Sequence, residues 1–162
     1  MSEWLEIVPK VKLEAEFLEI ATDFGDPMEI FREAISNAID ANSTQLKINI
    51  YVDDSEGDSI LKIEFEDNGE GMTKDQLINN FWDLGNSSSK NSKDKIGEKG
   101  HGTKIYLRSR KVTVYTHTGK ESFESYCENP MKSLTQGKIH QPYIKEIFYV
   151  TNVVRRFLSA LL

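Results

Sequence analysis

The sequence predicts an α+β fold, a two-layer α/β sandwich in which a mixed sheet is covered by helices on one face. Three observations carry that prediction. Residues 11–24 and 26–42 place apolar side chains at helical spacing. Residues 46–52 and 61–66 alternate apolar and polar, the pattern of strands with one wet face. No strand candidate is apolar throughout, which argues against a doubly wound sheet buried on both faces. A chain of 162 residues suits one domain with a real core.

Residues 1–10 read as an arm ending at Pro9, and residues 11–24 as a helix carried by Leu13, Phe17, Ile20, Ala21 and Phe24, with Gly25 as its stop. The next helix is the most informative stretch. Asp26 suits its cap, Pro27 its first position, and Glu29 stands three residues after the cap. Met28, Phe31, Ala34, Ile35, Ala38 and Ile39 gather into an expected buried stripe. Glu33, Asn37 and Asp40 stand at i, i+4 and i+7, within roughly 60° of one another on the other side. Taken alone, such a line is ordinarily a solvated face. Two glycine-bearing segments further along the chain change the odds.

The strands at 46–52 and 61–66 flank a polar turn and predict a hairpin. The second runs into Asp67-Asn68-Gly69-Glu70-Gly71-Met72, where glycines at i and i+2 let the backbone approach a partner closely. A plain tight turn explains that segment equally well. Thr73 and Gln76 form a capping box for a short helix whose apolar side is Leu77, Ile78 and Phe81. Residues 85–103 read as a long loop, a length usually reserved for function or disorder. Its end, Gly97-Glu98-Lys99-Gly100-His101-Gly102, leads into a helix beginning Thr103-Lys104. Glycines at a helix N-terminus expose backbone N–H groups and suit phosphate. The order Thr103-Lys104 reverses what a P-loop needs, and no GxGxxG fingerprint is present. Residues 111–117, 122–127 and 144–150 are further strand candidates. Residues 151–162 read as a helix rather than a strand, so the expectation is a sheet short of its last strand, in a piece of a longer protein.

Composition narrows the classes. At 38% hydrophobic and 28% charged residues the chain is an ordinary globular one, with no apolar run of membrane-spanning length. The acidic N-terminus lacks the form of a secretory signal, so a cytoplasmic location is expected. One cysteine, Cys127, and three scattered histidines argue against disulfides and a zinc site. A net charge of −6 disfavours nucleic-acid binding by the whole surface. Yet residues 90–111 hold eight Lys and Arg against two acidic side chains, fit either for a solvated loop or for a compact polyanion.

Three pieces thus stand in order: Glu33-xxx-Asn37-xx-Asp40-Ala41 on a helix, Asp67-x-Gly69-x-Gly71-Met72 after a strand, and Gly97-xx-Gly100-x-Gly102 before a helix. Together they resemble the N, G1 and G2 boxes of the GHKL ATPases (gyrase B, Hsp90, histidine kinases, MutL) over residues 11 to about 127. Residues 82–90 look closest to the Hsp90-, MutL- and MORC-like branches. The resemblance implies the Bergerat ATP-binding fold, with ATP and Mg²⁺ as ligands. It implies that Asn37 holds the metal, that Glu33 acts as general base toward water, and that Asp40 and Ala41 line the pocket. It implies that Asp67 accepts the adenine amino group, with Gly69 and Gly71 admitting the base and Met72 packing on it. Gly97, Gly100, His101, Gly102 and Thr103 would present N–H groups to the phosphates. Lys90 and Lys104 are candidate phosphate cations, Lys104 equally a solvated lysine. The family's late Gly-Thr strand has no match here, which leaves Thr113, Thr116 and Thr151 as candidates for its adenine contact.

The expected function is Mg²⁺-dependent ATP binding with slow hydrolysis. Closure of the 83–103 segment would drive a conformational or dimerisation switch in a larger protein. A histidine-kinase-type phosphotransferase and a nucleotide-binding module without turnover are the alternatives. No membrane partner is expected, and the domain indicates no nucleic-acid or protein client.

Overall fold

The computed structural model describes residues 8, 10–54, 57–84 and 102–148, and the backbone of 156–161. Helix α1 spans Leu13–Thr22 and α2 spans Glu29–Asp40. The hairpin β1 (Leu46–Asp53) and β2 (Ile60–Asp67) comes next, as predicted, paired in register from Leu46–Asp67 to Asp53–Ile60. After it stands α3 (Lys74–Gln76), capped as the sequence implies. Thr73 Oγ1 accepts from the Gln76 N–H (3.3 Å), and Gln76 Oε1 accepts from the Thr73 N–H (2.9 Å). It continues into a π-helical turn over Leu77–Trp82. A 3₁₀ helix over Gly102–Arg108 precedes β3 (Lys111–His117), β4 (Ser122–Glu128), α4 (Pro130–Thr135), β5 (Tyr143–Glu146) and β6 (Arg156–Leu161). The short helix α4 is an element that the apolar periodicity does not predict. Asn129 (φ 47°) turns the chain into it and Pro130 starts it.

The six strands lie in the order β1-β2-β6-β3-β4-β5. All five pairings are antiparallel, where a mixed sheet was expected. The reason is β6. The helical crossover from β2 to β3 sets those two strands parallel, but β6 lies between them and opposes both. This also corrects the helix expected at the C-terminal end: residues 156–161 form a central strand. A six-residue segment with four apolar residues carries no usable period, and two open sheet edges with unpaired backbone groups decide its conformation.

Helices cover one face of the sheet, as predicted. Ile63 and Phe65 of β2, Val112 and Val114 of β3, and Phe123 and Cys127 of β4 pack against Phe17, Ala21, Ile30, Ala34 and Leu77. Tyr106 of the 3₁₀ helix stacks on Phe81 and meets the edge of Phe65. Trp82 closes the core, its indole N–H donating to Ser125 Oγ at 2.8 Å. The other face is polar, with Tyr51 donating to Glu64, Tyr115 donating to Glu124, and ion pairs Lys145–Glu124 and Lys111–Glu128. Within α2 the buried line is Ile30, Ala34 and Ala38, while Ile35, Ile39 and the preceding Met28 are exposed. Only one flank of the broad apolar stripe faces the core, so the stripe expected from spacing is rotated. Asp26 closes the Asp-Pro turn just before α2, accepting the Met28 N–H at 2.9 Å, instead of capping the helix itself.

Candidate functional site

Helix α2 is the spine of the site, and the sequence-flagged segments meet it at two points. Glu33 and Asn37 stand one turn apart, and the Asn37 amide N–H donates to Glu33 Oε1 at 2.9 Å. Gly102 lies against that carboxylate. A Cβ added there would sit 2.0 Å from Glu33 Oε2, so any larger residue would have to displace the carboxylate. Burial holds the Glu33 carboxyl above its ordinary range. The Asn37 bond and the Lys104 ammonium pull the other way. A partly desolvated carboxylate of this kind is a fit proton acceptor.

The second meeting point is the C-terminal end of α2. Asn42 leaves the helix in the left-handed conformation (φ 55°) and donates to Glu70 Oε1 at 2.8 Å. The Glu70 N–H donates to the Ala41 carbonyl at 2.9 Å. A Cβ on Gly69 would lie 2.7 Å from both the Ala41 Cβ and the Ala41 carbonyl oxygen, so this glycine is required by close approach. Asp67, 4% exposed at the end of β2, accepts the Gly69 N–H at 2.9 Å. Gly71 has φ 75°, open to glycine at little strain. Beyond it Thr116 of β3 grips the segment. Its hydroxyl accepts from the Met72 N–H (2.6 Å) and lies 3.2 Å from the Met72 carbonyl.

Lys104 differs from both readings of the sequence. It is neither solvated nor open to a phosphate here. Its side chain is fully buried, and Nζ donates to the Phe81 carbonyl (2.7 Å) and to Thr103 Oγ1 (2.9 Å). Thr103 Oγ1 donates to the same carbonyl at 3.1 Å. Burial pulls the Lys104 ammonium down to about 8, opposed by Asp83 and Glu33. An amphipathic cation can follow a glycine turn outward or fold under it, and sequence does not choose between them. Here residues 103–104 and Phe81 tie together the two ends of the segment that runs through 83–101.

Of the predicted site residues, Glu33, Asn37 and Gly102 come together, as do Ala41, Asp67, Gly69 and, through Thr116, Met72. Asp40 lies half-buried on the last turn of α2, and Asn37 and Ala41 are half-buried as well. Lys90, Gly97, Gly100 and His101 lie outside the described residues, as does Thr151. Between the remaining threonines, Thr116 borders the Asp67–Met72 segment. Sequence reasoning missed Asn68, whose side-chain oxygen accepts from the Ser43 hydroxyl and the Thr44 and Gln45 N–H groups. It also missed His140, buried with Nδ1 unpartnered and its ring edge-on to Phe17. Burial pushes that imidazole down to about 4. An Asn at the foot of a Gly-containing turn is a signal for the first. Nothing local marks the second.

Comparison with known proteins agrees with this arrangement. The family profile described as "Histidine kinase-, DNA gyrase B-, and HSP90-like ATPase" matches residues 27–155. The DNA mismatch repair protein MutL of Thermosipho africanus is 27% identical over 154 residues, covering 83% of this chain and 24% of that protein. MutL of Agathobacter rectalis is 28% identical over 144 residues, covering 82% of the chain and 22% of that protein. The chain therefore spans about a quarter of the length of these relatives. The ATPase region of Saccharomyces cerevisiae topoisomerase II superposes with a TM-score of 0.53 at 18% identity, over 82% of this chain and 37% of that one, a likeness of fold. The chain belongs to the histidine kinase-, DNA gyrase B- and HSP90-like ATPases, the GHKL family.

Proposed function

We propose that this domain binds ATP with Mg²⁺ and hydrolyses it slowly, with Glu33 as general base. The observation that carries the proposal is the contact of Glu33 with both Asn37 and the Gly102 backbone, which brings acid, amide and glycine turn to one place. Asn37 fits a metal ligand of the expected kind. Because its N–H donates to Glu33, its amide oxygen is the atom left to face a cation. Among the described residues no group of three or more acidic, His or Cys side chains converges as a cage. A single amide suits Mg²⁺, which takes most of its other ligands from water and phosphate. When bound, the ion neutralises charge on the phosphate oxygens. Asp67, Gly69, Gly71, Met72 and Thr116 hold the base. Gly102 and Thr103 present backbone N–H groups to phosphate, together with Gly97, Gly100 and His101. Glu33 takes a proton from water as its oxygen bonds to the γ-phosphorus, the bond to the bridging oxygen breaks, and ADP leaves.

In the longer protein, nucleotide binding closes the 83–103 segment and drives a conformational or dimerisation switch. The tie between Phe81 and residues 103–104 supports this by fixing both ends of the segment. No described helix is long and apolar enough to cross a membrane. Titration calorimetry with ATP, with and without Mg²⁺, tests binding, and phosphate release tests turnover. A folded sample that takes up no ATP removes the proposal. Binding without turnover, unchanged by Glu33→Gln, reduces it to a nucleotide-binding module.

A further inference from the structure

The free edge of the sheet at β1 carries information that nucleotide binding does not use. β1 is eight residues long and, among the described residues, pairs only with β2. Sheet edges in soluble proteins are commonly blunted by central charges, proline or a bulge. The middle of β1, Ile48-Asn49-Ile50-Tyr51-Val52, has no charge and no proline, and pairs with β2 without interruption. Its apolar side chains lie on the helix-covered face, opposite buried Phe65 and Ile63, yet helices do not reach them. Ile48 is 37% exposed, Ile50 57% and Val52 58%. Among the described residues nothing covers this stripe.

The strand is also complementary to itself. Laid antiparallel on a second copy with Ile50 facing Ile50, it sets Ile48 against Val52, Asn49 against Tyr51, and Lys47 against Asp53. Apolar residues meet apolar residues on one face and opposite charges meet on the other, the cross-strand pairs that stabilise a sheet. A slip of one residue sets apolar against polar throughout, so the register is specified. Lys47 already lies 3.8 Å from Glu66, and Asp53 pairs with Lys62 in the same protomer. Across the seam these groups form one line of alternating charge.

We infer that β1 is a homodimer interface: two copies join edge to edge about a twofold axis at Ile50, making one continuous sheet without need of nucleotide. A seam of two strands and little else is a small interface, so the dimer is a weak, concentration-dependent one.

Site-directed thiol trapping reads the register directly, since the sole native cysteine, Cys127, is buried. Ile50→Cys faces its own copy and gives a disulfide-linked dimer on mild oxidation in the absence of ATP. Val52→Cys faces Ile48, so alone it gives little, and mixing it with Ile48→Cys restores the cross-link. Sedimentation of the unmodified chain shows a monomer–dimer equilibrium that Ile50→Lys abolishes, with an unchanged circular dichroism spectrum. Three results overturn the proposal: a monomer at every concentration, trapping by Ile50→Cys no faster than by Val52→Cys alone, or a monomeric Ile50→Cys variant whose new thiol resists alkylation. The last means that the chain's own residues cover the strand.

Discussion

Two glycines of the site look alike in sequence and differ in what they touch. A Cβ on Gly69 meets the carbonyl and Cβ of Ala41, fixed at the end of α2. A Cβ on Gly102 meets the carboxylate of Glu33, the far end of a flexible side chain. The Asp67 end of the proposed site is therefore held by backbone against backbone, and by side chains anchored on β2 and β3. The Glu33 end is held by one side chain resting on a glycine. The first is rigid and suited to recognising a base. The second can yield, because what it meets is the end of a flexible side chain. Loss of function should accordingly separate: changes at the Asp67 end strike binding and stability together, and changes at the Glu33 end strike turnover.

The sharpest test is Glu33→Gln. Glutamine keeps an acceptor for the Asn37 N–H but takes no proton from water. Turnover should fall by about 10²–10⁴-fold, the usual worth of a general base, while ATP affinity changes little. Stability should move the opposite way. Burial raises the folded-state pKa of Glu33 above 4.5, so folding works against its charge. That penalty is absent below pH 4.5 and grows as pH rises through the raised value. Thermal denaturation should find Glu33→Gln more stable than the parent at about pH 7, with the difference closing near about pH 4. Equal loss of binding and turnover would erase the proposed division of the pocket.

Gly69→Ala attacks the rigid end. Neither the Ala41 carbonyl nor its Cβ can step aside without moving α2 or the 67–72 turn. Overpacking of this sort costs about 1–3 kcal/mol. Denaturant melts should show that loss, and calorimetry should show weakened ATP binding with it. An unchanged melt would mean the turn is as soft as the other end.

Legibility in the sequence divides along the same line. Glu33 and Asn37 were legible because a helix fixes the spacing of its own side chains. Asp67, Gly69 and the capped start of α3 were legible because turn chemistry is local. The fates of Lys104 and of residues 156–161 were not. A lysine after a glycine turn has a stem long enough to reach solvent or core, and only the position of the Phe81 carbonyl decides which. The short segment Arg156–Leu161 becomes strand β6 because β2 and β3 leave a gap for it. Ile35 and Ile39 belonged to the expected stripe and lie exposed, since period locates an apolar side of a helix but not how much of it the sheet can reach. Thr116 was one of three threonine candidates, and its bond to the Met72 backbone became visible only once β3 was placed beside the 67–72 turn.

Gly102→Ala probes the yielding end. The new methyl should push the Glu33 carboxylate off Asn37 and leave the backbone where it is. Melting should stay close to that of the parent, and kcat should fall by about tenfold, the cost of a slightly misplaced base. KM for ATP should hold. A large drop in melting temperature would show that the contact is structural and that this end is no softer than the other.

The smallest effect belongs to Thr116→Val. Valine keeps the volume and the β propensity but removes the hydroxyl that bonds the Met72 backbone. Thr116 is 2% exposed, so the Met72 N–H loses its partner where water does not easily replace it. An unmade bond of this kind costs about 1–3 kcal/mol, shared here between fold stability and the nucleotide. Affinity for ATP should fall several-fold and affinity for ADP by the same factor, because both carry the same base. The hydrolysis rate at saturating ATP should not move. If kcat falls while both affinities hold, Thr116 acts on the phosphate end, and the two halves of the pocket are one mechanical unit instead of two.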